Sequence, residues 1–271
     1  MNIFKNLKIH ASQVGKIMTG TIKSSLTEKQ AQMLDELLKK EKRTEKQEEL
    51  LNELLAKRDS SPQISKTVLS FLKELAIEIE TGRVKEIETD AMYRGTVYEE
   101  EAIKLLNRLT NKNYVKNQTQ FENEFIIGTP DIISIDENNI KYVRDIKISQ
   151  DIFTHPYYDS EVPNQDYFYQ LQSYMWLVGA EYAYLDYVLL DSPEWLIQKK
   201  LKNKYFDLVD KGLSDEEIEN FMSEFELKTR FNLIYSDLPL ERRLKTFLIQ
   251  RNDFIIEKIQ QQIELIREFT F

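Results

Sequence analysis

Gly128-Thr129-Pro130-Asp131-Ile132-Ile133-Ser134-Ile135, then Asp136-Glu137-Asn138-Asn139, then Tyr142-Val143-Arg144-Asp145-Ile146-Lys147-Ile148 is the stretch that decides the fold. Phe125-Ile126-Ile127 and Ile132–Ile135 read as a β-branched, apolar run, the four polar residues after it supply turn chemistry, and residues 142–148 return as a second strand. Side chains alternate along a strand, so Asp145 and Lys147 share one face while Ile146 points to the other. Paired as a hairpin, the strands bring Asp131 towards Asp145 across an interstrand spacing of about 5 Å. Pro130 holds Thr129 extended, and Gly128 lets another backbone or a ligand come close. Two carboxylates beside one ammonium can hold a hard divalent cation and activate water against a phosphodiester. A surface salt bridge would use the same residues, and an Asp-x-Lys triplet is expected by chance about once in such a chain. Other parts of the sequence have to decide.

Working outward, a helix is expected from about Asp90 to Leu109. Its apolar stripe is Met92, Gly95, Ala102, Ile103 and Leu106, and Glu99 falls on it, seven residues from both Met92 and Leu106. Glu100 and Glu101 fall off the stripe. A carboxylate on an apolar face needs a cation, a hydrogen-bond partner or a cavity. An ion pair with an Arg or Lys answers that need, and so does a metal shared with Asp131 and Asp145. A second helix is expected over 166–179, ended by Gly179. It carries Gln170 and Tyr174 four residues apart and therefore on one face. Tyr174 beside Met175, Trp176 and Leu177 also reads simply as core.

The order of these features is more specific than any one of them: a helix glutamate, Pro-Asp, Asp-x-Lys, then Gln-x-x-x-Tyr. It resembles the PD-(D/E)xK nuclease superfamily, and within it the YqaJ-type viral recombination exonucleases, the group of the bacteriophage lambda exonuclease. The matching stretches are Ile9-His10-Ala11-Ser12 with Val14 and Ile17, Gly95-x-x-x-Glu99 with Ala102, Thr129-Pro130-Asp131, Asp145-Ile146-Lys147 and Gln170-Leu171-Gln172-Ser173-Tyr174-Met175-Trp176. The resemblance implies that Glu99, Asp131 and Asp145, with the Ile146 carbonyl, hold one or two Mg²⁺ ions, for which Mn²⁺ would substitute. It implies that Lys147 orients or deprotonates the attacking water, that Gln170 and Tyr174 brace the site, and that Ser12 touches a DNA phosphate. Asp145 stands where many relatives have Glu, and Gln13 after Ser12 leaves any basic contact to a 5′-phosphate to come from elsewhere.

The remaining sequence bounds these expectations. The chain has 271 residues, no cysteine, two histidines (His10 and His155) and a formal net charge of −9. Disulfides, cysteine nucleophiles and a histidine-rich zinc site are thereby excluded or disfavoured. The absence of cysteine also removes the iron–sulfur forms of related nucleases. No apolar run is long enough to span a bilayer, there is no signal-peptide pattern at the N-terminus, and a cytoplasmic location in a bacterial or phage-infected cell is expected. An acidic balance argues against a general nucleic-acid coat but not against a nuclease with a locally basic groove. Lys199, Lys200, Lys202 and Lys204, then Arg242, Arg243 and Lys245, are candidates for such a patch or for solvated faces.

Residues 27–59 hold a 17-residue internal repeat, in which Thr27–Gln30 recurs as Thr44–Gln47 and Leu34, Leu37 and Leu38 recur as Leu51, Leu54 and Leu55. Each unit opens as a Thr-x-x-Gln capping box, so a helical hairpin is expected, for packing, for shaping a DNA entrance or for oligomer contact. Ser12 is expected to cap a short helix, 64–82 to be helical, Tyr182–Leu190 and Phe231–Tyr235 to be strands, and Leu240 to about Phe269 to be one long helix. The expected fold is α/β (α+β): a central mixed β-sheet flanked by helices, a restriction-endonuclease-like core, in one nuclease domain over 1–271 with a helical insertion at about 26–82. The expected activity is a Mg²⁺-dependent exonuclease on double-stranded DNA ends, 5′ to 3′, leaving 3′ single-stranded overhangs for recombination or repair. A single-strand annealing protein and a homo-oligomer, a trimer by resemblance, are the expected partners. A structure-specific or restriction-type endonuclease, or a non-catalytic DNA-end binding module, are the alternatives.

Overall fold

Periodicity and caps set most of the elements in the structure, a computed structural model that describes residues 2–19, 26, 28–40, 42–59, 65–85, 95 and 97–271. In chain order these are β1 (Ile9–His10), a 3-10 turn (Ala11–Gln13), α1 (Val14–Thr19), α2 (Glu28–Leu38), α3 (Glu45–Asp59), α4 (Lys66–Thr81) and α5 (Glu99–Thr110). Then come β2 (Phe121–Glu122), β3 (Ile126–Gly128), β4 (Ile132–Ile135), β5 (Lys141–Ile148), α6 (Gln165–Val178) and β6 (Tyr182–Val188). The chain closes with α7 (Glu194–Asp210), α8 (Asp215–Leu233), a second 3-10 turn (Leu240–Arg243), β7 (Leu244–Gln250) and α9 (Asp253–Glu268). It divides into two compact units, one of residues 1–86, 122–127 and 252–271, the other of 87–121 and 128–251.

In the first unit β3 runs parallel to β1, with Ile9 opposite Ile126, and α1 packs on α4 and α9. The repeat folds as the expected helical hairpin: α2 meets α3 through Leu34 and Leu37 of one unit and their counterparts Leu51 and Leu54 of the other, all buried. Thr44 N–H donates to Gln47 Oε1 at 3.1 Å, the reaching-back half of the capping box. Its counterpart at Thr27 lies outside the described residues. Helix α4 is capped by Ser65, whose hydroxyl accepts from Val68 N, and stops at Gly82 in the left-handed region at φ 67°.

The second unit is built on a four-stranded mixed sheet in the order β4-β5-β6-β7. Strand β4 is antiparallel to β5, β5 parallel to β6, and β6 antiparallel to β7. Helices α5 and α6 pack on β5, and Ala102, Ile103, Leu105 and Leu106 of α5 join Ile132, Tyr142, Ile146 and Val188 in one buried cluster. This is the mixed α/β class expected from the sequence.

Four expectations are corrected. The apolar run 125–135 is not one strand: it breaks at Gly128–Asp131, where β3 ends in one sheet and β4 begins in another. Residues 231–235 do not form a strand, because α8 starts at a complete Ser214/Glu217 capping box and continues to Leu233, leaving Ile234 extended. Residues 240–269 do not form one helix. Phe247 and Ile249 alternate inward against exposed Thr246, Leu248 and Gln250, and this period of two builds β7 on β6. Leu244, Phe247 and Leu248 imitate helical spacing, and the true helix start is the Asn252 cap, which accepts from Ile255 N. Ser12 sits inside the 3-10 turn, whose cap position is His10, so it does not cap α1. The expected helix start at Asp90, with Met92, lies outside the described residues, and the described helix begins at Glu99.

Candidate active site

The register of β4 on β5 creates the site. Ile132 pairs with Arg144, which puts Asp131 at the strand end beside Asp145, as the hairpin reading anticipates. Asp131 Oδ2 accepts the Ile146 N–H at 2.7 Å, so this carboxylate is fixed to the backbone of the neighbouring strand. Asp145 and Lys147, two apart on β5, share a face, and the Lys147 ammonium meets Asp145 Oδ2 at 2.7 Å. Ile146 turns the other way, into the α5 cluster.

Helix α6 supplies the next layer. Gln170 Nε2 donates to the Tyr174 hydroxyl at 2.9 Å and lies 3.4 Å from Asp145 Oδ1, while Gln170 Oε1 accepts from Lys147 Nζ at 3.3 Å. One amide thus spans the acid and the base of the triplet, and the i, i+4 tyrosine holds the amide. The Tyr167 ring, one turn earlier, lies 4.5 Å from the Lys147 ammonium. Glu99, the first residue of α5, completes the set. Its Oε2 takes the Lys116 ammonium at 2.7 Å, and its Oε1 is buried with no hydrogen-bond partner among the described residues.

Glu99, Asp131, Asp145, Ile146, Lys147, Gln170 and Tyr174 therefore line one cavity of about 370 Å³, with Gly95 and Tyr167. Ser12, exposed, belongs to the other unit. Spacing had not pointed to Lys116 or Tyr167. Lys116 lies in the irregular segment 111–120, where no periodicity marks a face, and Tyr167 reads as one more aromatic in an aromatic helix.

Burial and like charge dominate the electrostatics. Burial, then the neighbouring Asp145 charge, hold the Asp131 carboxyl well above the usual carboxylate range, against the lowering effect of the Ile146 N–H and Lys147. Burial alone would lower the Lys147 ammonium, but Asp145 and then Asp131 reverse this, and the net direction is upward. Burial and the Asp145 charge also push the Tyr174 phenol up, keeping it neutral. The donor set is three carboxylates with a backbone carbonyl at hand. Its all-oxygen chemistry, the Asp131 carboxylate set beside Asp145 and the orphaned Glu99 Oε1 fit a hard divalent cation. As they stand, no three His, Cys, Asp or Glu side chains among the described residues are gathered into a metal cage. Glu99 is engaged by Lys116 instead.

The opposite side of β5 is balanced. Arg144 forms a bidentate pair with buried Asp186 of β6, Nε to Oδ2 at 2.7 Å and Nη2 to Oδ1 at 2.8 Å. Asp186 also accepts from the Thr246 hydroxyl at 2.6 Å, and the guanidinium lies between the Tyr114 and Tyr184 rings.

No family model matches the sequence, and no curated protein does. Solved structures do. A phage-related exonuclease from Haemophilus somnus 129PT matches with a TM-score of 0.66 at 24% identity, over 99% of this chain and 95% of that one. The alkaline exonuclease LHK-Exo from Laribacter hongkongensis matches with a TM-score of 0.52 at 15% identity, over 97% and 87% of the two chains. Its complex with dAMP matches at 0.51 and 17% identity, over 96% and 85%. The fold implied by the sequence's resemblance is thus the one found: this chain has the fold of the phage-related and alkaline exonucleases.

Proposed function

We propose that the protein is a divalent-metal-dependent deoxyribonuclease, an exonuclease that resects double-stranded DNA ends 5′ to 3′ and leaves 3′ single-stranded overhangs for recombination or repair. The observation that carries this reading is the convergence of Glu99, Asp131 and Asp145 on one cavity, beside the Lys147 ammonium and under the Gln170 amide. Asp131, Asp145 and the Ile146 carbonyl would hold Mg²⁺ or Mn²⁺, with Glu99 joining once released from Lys116. The cation would supply Lewis-acid polarisation of the scissile phosphate. Lys147, placed by Asp145, Gln170 and the Tyr167 ring, orients the attacking water and offsets charge developing on the phosphoryl oxygens. Gln170 keeps acid and base in register, and Tyr174 keeps Gln170 in place. Ser12 as a phosphate contact, a ring-shaped trimer and a single-strand annealing partner belong to the same reading on resemblance.

Digestion of linear and closed-circular duplex DNA, with 5′ and 3′ ends labelled separately, tests it. Mg²⁺-dependent loss of linear DNA alone, starting at the 5′ label and absent in Lys147→Ala, is expected. Nicked circles would make the enzyme an endonuclease, and no digestion under any divalent metal would leave a DNA-end binding module.

A further inference from the structure

The nuclease reading needs Glu99 as a cation ligand, yet the structure gives that carboxylate to a lysine. The placement of Lys116 is built from two sides. On one, the Asn107 side chain of α5 clamps the Tyr114 backbone, donating to Tyr114 O at 2.9 Å and accepting from Tyr114 N at 2.7 Å. On the other, Asn117 N–H donates to Asp131 O at 2.7 Å and Asn117 Nδ2 donates to Pro130 O at 2.9 Å. Lys116 lies between the two clamps. The segment is thereby tied to the helix that carries Glu99 and to the Pro-Asp turn that carries Asp131.

The pair is asymmetric. The Glu99 side chain is 15% exposed and that of Lys116 is 37% exposed. The lysine can withdraw towards water, whereas the glutamate, with Oε1 buried and unpartnered, cannot. A solvent-facing ammonium on a buried carboxylate is a replaceable counter-ion.

We infer that Lys116 is a positioning residue that competes with the divalent cation for Glu99, so that loading the site requires Lys116 to leave. The segment 112–119 acts as a built-in tether that holds the competitor at the site. The cation requirement of the enzyme is then set partly by this lysine. This inference rests on the nuclease reading, and the experiment separates the two.

Mn²⁺ binding is measured without DNA, by calorimetry and by the electron paramagnetic resonance signal of free Mn²⁺. The proteins are the full-length wild type, Lys116→Met, Lys116→Gln, Lys116→Arg, Glu99→Gln, Asp131→Asn and the Glu99→Gln/Lys116→Met double variant, each first checked for retained thermal unfolding. Removing a partly exposed ion-pair partner should tighten Mn²⁺ by about three- to tenfold in Lys116→Met and Lys116→Gln. Lys116→Arg, which keeps the charge, should stay within about twofold of wild type. In the Glu99→Gln background Lys116→Met should add nothing, because the interaction it relieves is gone. Unchanged or weaker binding in Lys116→Met and Lys116→Gln would overturn the competition. So would tightening that persists fully in the Glu99→Gln background, which would mark a general field effect. In both cases, Mn²⁺ binding that Asp131→Asn abolishes would leave the nuclease reading standing. A wild type that binds no Mn²⁺, or binds it equally after Asp131→Asn, would overturn both.

Discussion

The two faces of β5 bury comparable charge and use it differently. On one face Arg144 meets Asp186 in a fork-to-fork pair, with Thr246 taking a remaining lone pair and two tyrosine rings flanking the guanidinium. Positive and negative groups match one to one, and the pair ties β5 to β6. The cavity that Asp145 faces gathers three carboxylates, Asp131 and Asp145 from the hairpin and Glu99 from the start of α5, against two ammonium groups, Lys147 on Asp145 and Lys116 on Glu99. One acid is held far above its ordinary range and another keeps an unpartnered oxygen. A balanced buried pair leaves no charge unmet, whereas an excess of one sign stores a demand that an arriving cation can meet. Adjacent residues on one strand, Arg144 and Asp145, fall on opposite sides of this division because strand side chains alternate.

The comparison breaks first at Arg144. Arg144→Met leaves Asp186 buried and uncompensated, and unfolding stability should fall by about 3–5 kcal/mol, with much of it regained in Arg144→Met/Asp186→Leu. Chemical denaturation measures both. Equal stability of Arg144→Met and wild type would make the balanced face dispensable.

The opposite signature is expected at Asp131. Asp131→Asn removes a like charge from beside Asp145, so the melting temperature should hold or rise while DNA turnover drops by about 10²–10³-fold. A large loss of stability with turnover intact would reverse the assignment of the two faces.

A third buried group sharpens the contrast through pH. His155, whose Nδ1 lies 2.9 Å from the Ser149 hydroxyl just beyond β5, is pushed down to about 4, first by burial and then by the charge of Lys245. As pH falls from about 6.5 the unfolded chain takes up this proton before the folded one. Stability is therefore fully present above about 6.5, lost progressively towards pH 4, and level below. The share owed to His155 is at most about 3 kcal/mol. As pH falls across this window the denaturant midpoint of wild type should drop relative to that of His155→Phe, and parallel profiles would refute it.

The smallest effect is expected at Gln170. Its amide orients Lys147 and Asp145 without supplying charge, so Gln170→Ala should cost about tenfold in turnover and little in stability. A loss as large as that of Asp131→Asn would mean that the amide acts on the substrate directly.

Where spacing alone places residues, the reading of the sequence matches the structure. Asp145 and Lys147 had to share a face once 141–148 was a strand, and Gln170 and Tyr174 had to share one once 165–178 was a helix. The leucines of the 17-residue repeat behave alike, Leu34 and Leu37 meeting Leu51 and Leu54. The reading fails where two periods overlap: Leu244, Phe247 and Leu248 fit a helix as well as a strand, and only the open edge of β6 resolves them into β7. It fails again at 231–235, where aromatic and β-branched residues are carried into a helix by a cap 17 residues upstream of Phe231.

Sequence by itself determined the acids and the base, their strands and helices, and the hairpin register that sets Asp131 beside Asp145, because these follow from local periodicity and turn chemistry. Tertiary structure decided the company they keep. That Arg144 would be neutralised by Asp186 from β6, and that Glu99 would be claimed by Lys116, depends on contacts between segments whose separation in the chain encodes no spacing. Buried charges are paired by whatever packing brings within reach, and packing is a property of the whole fold.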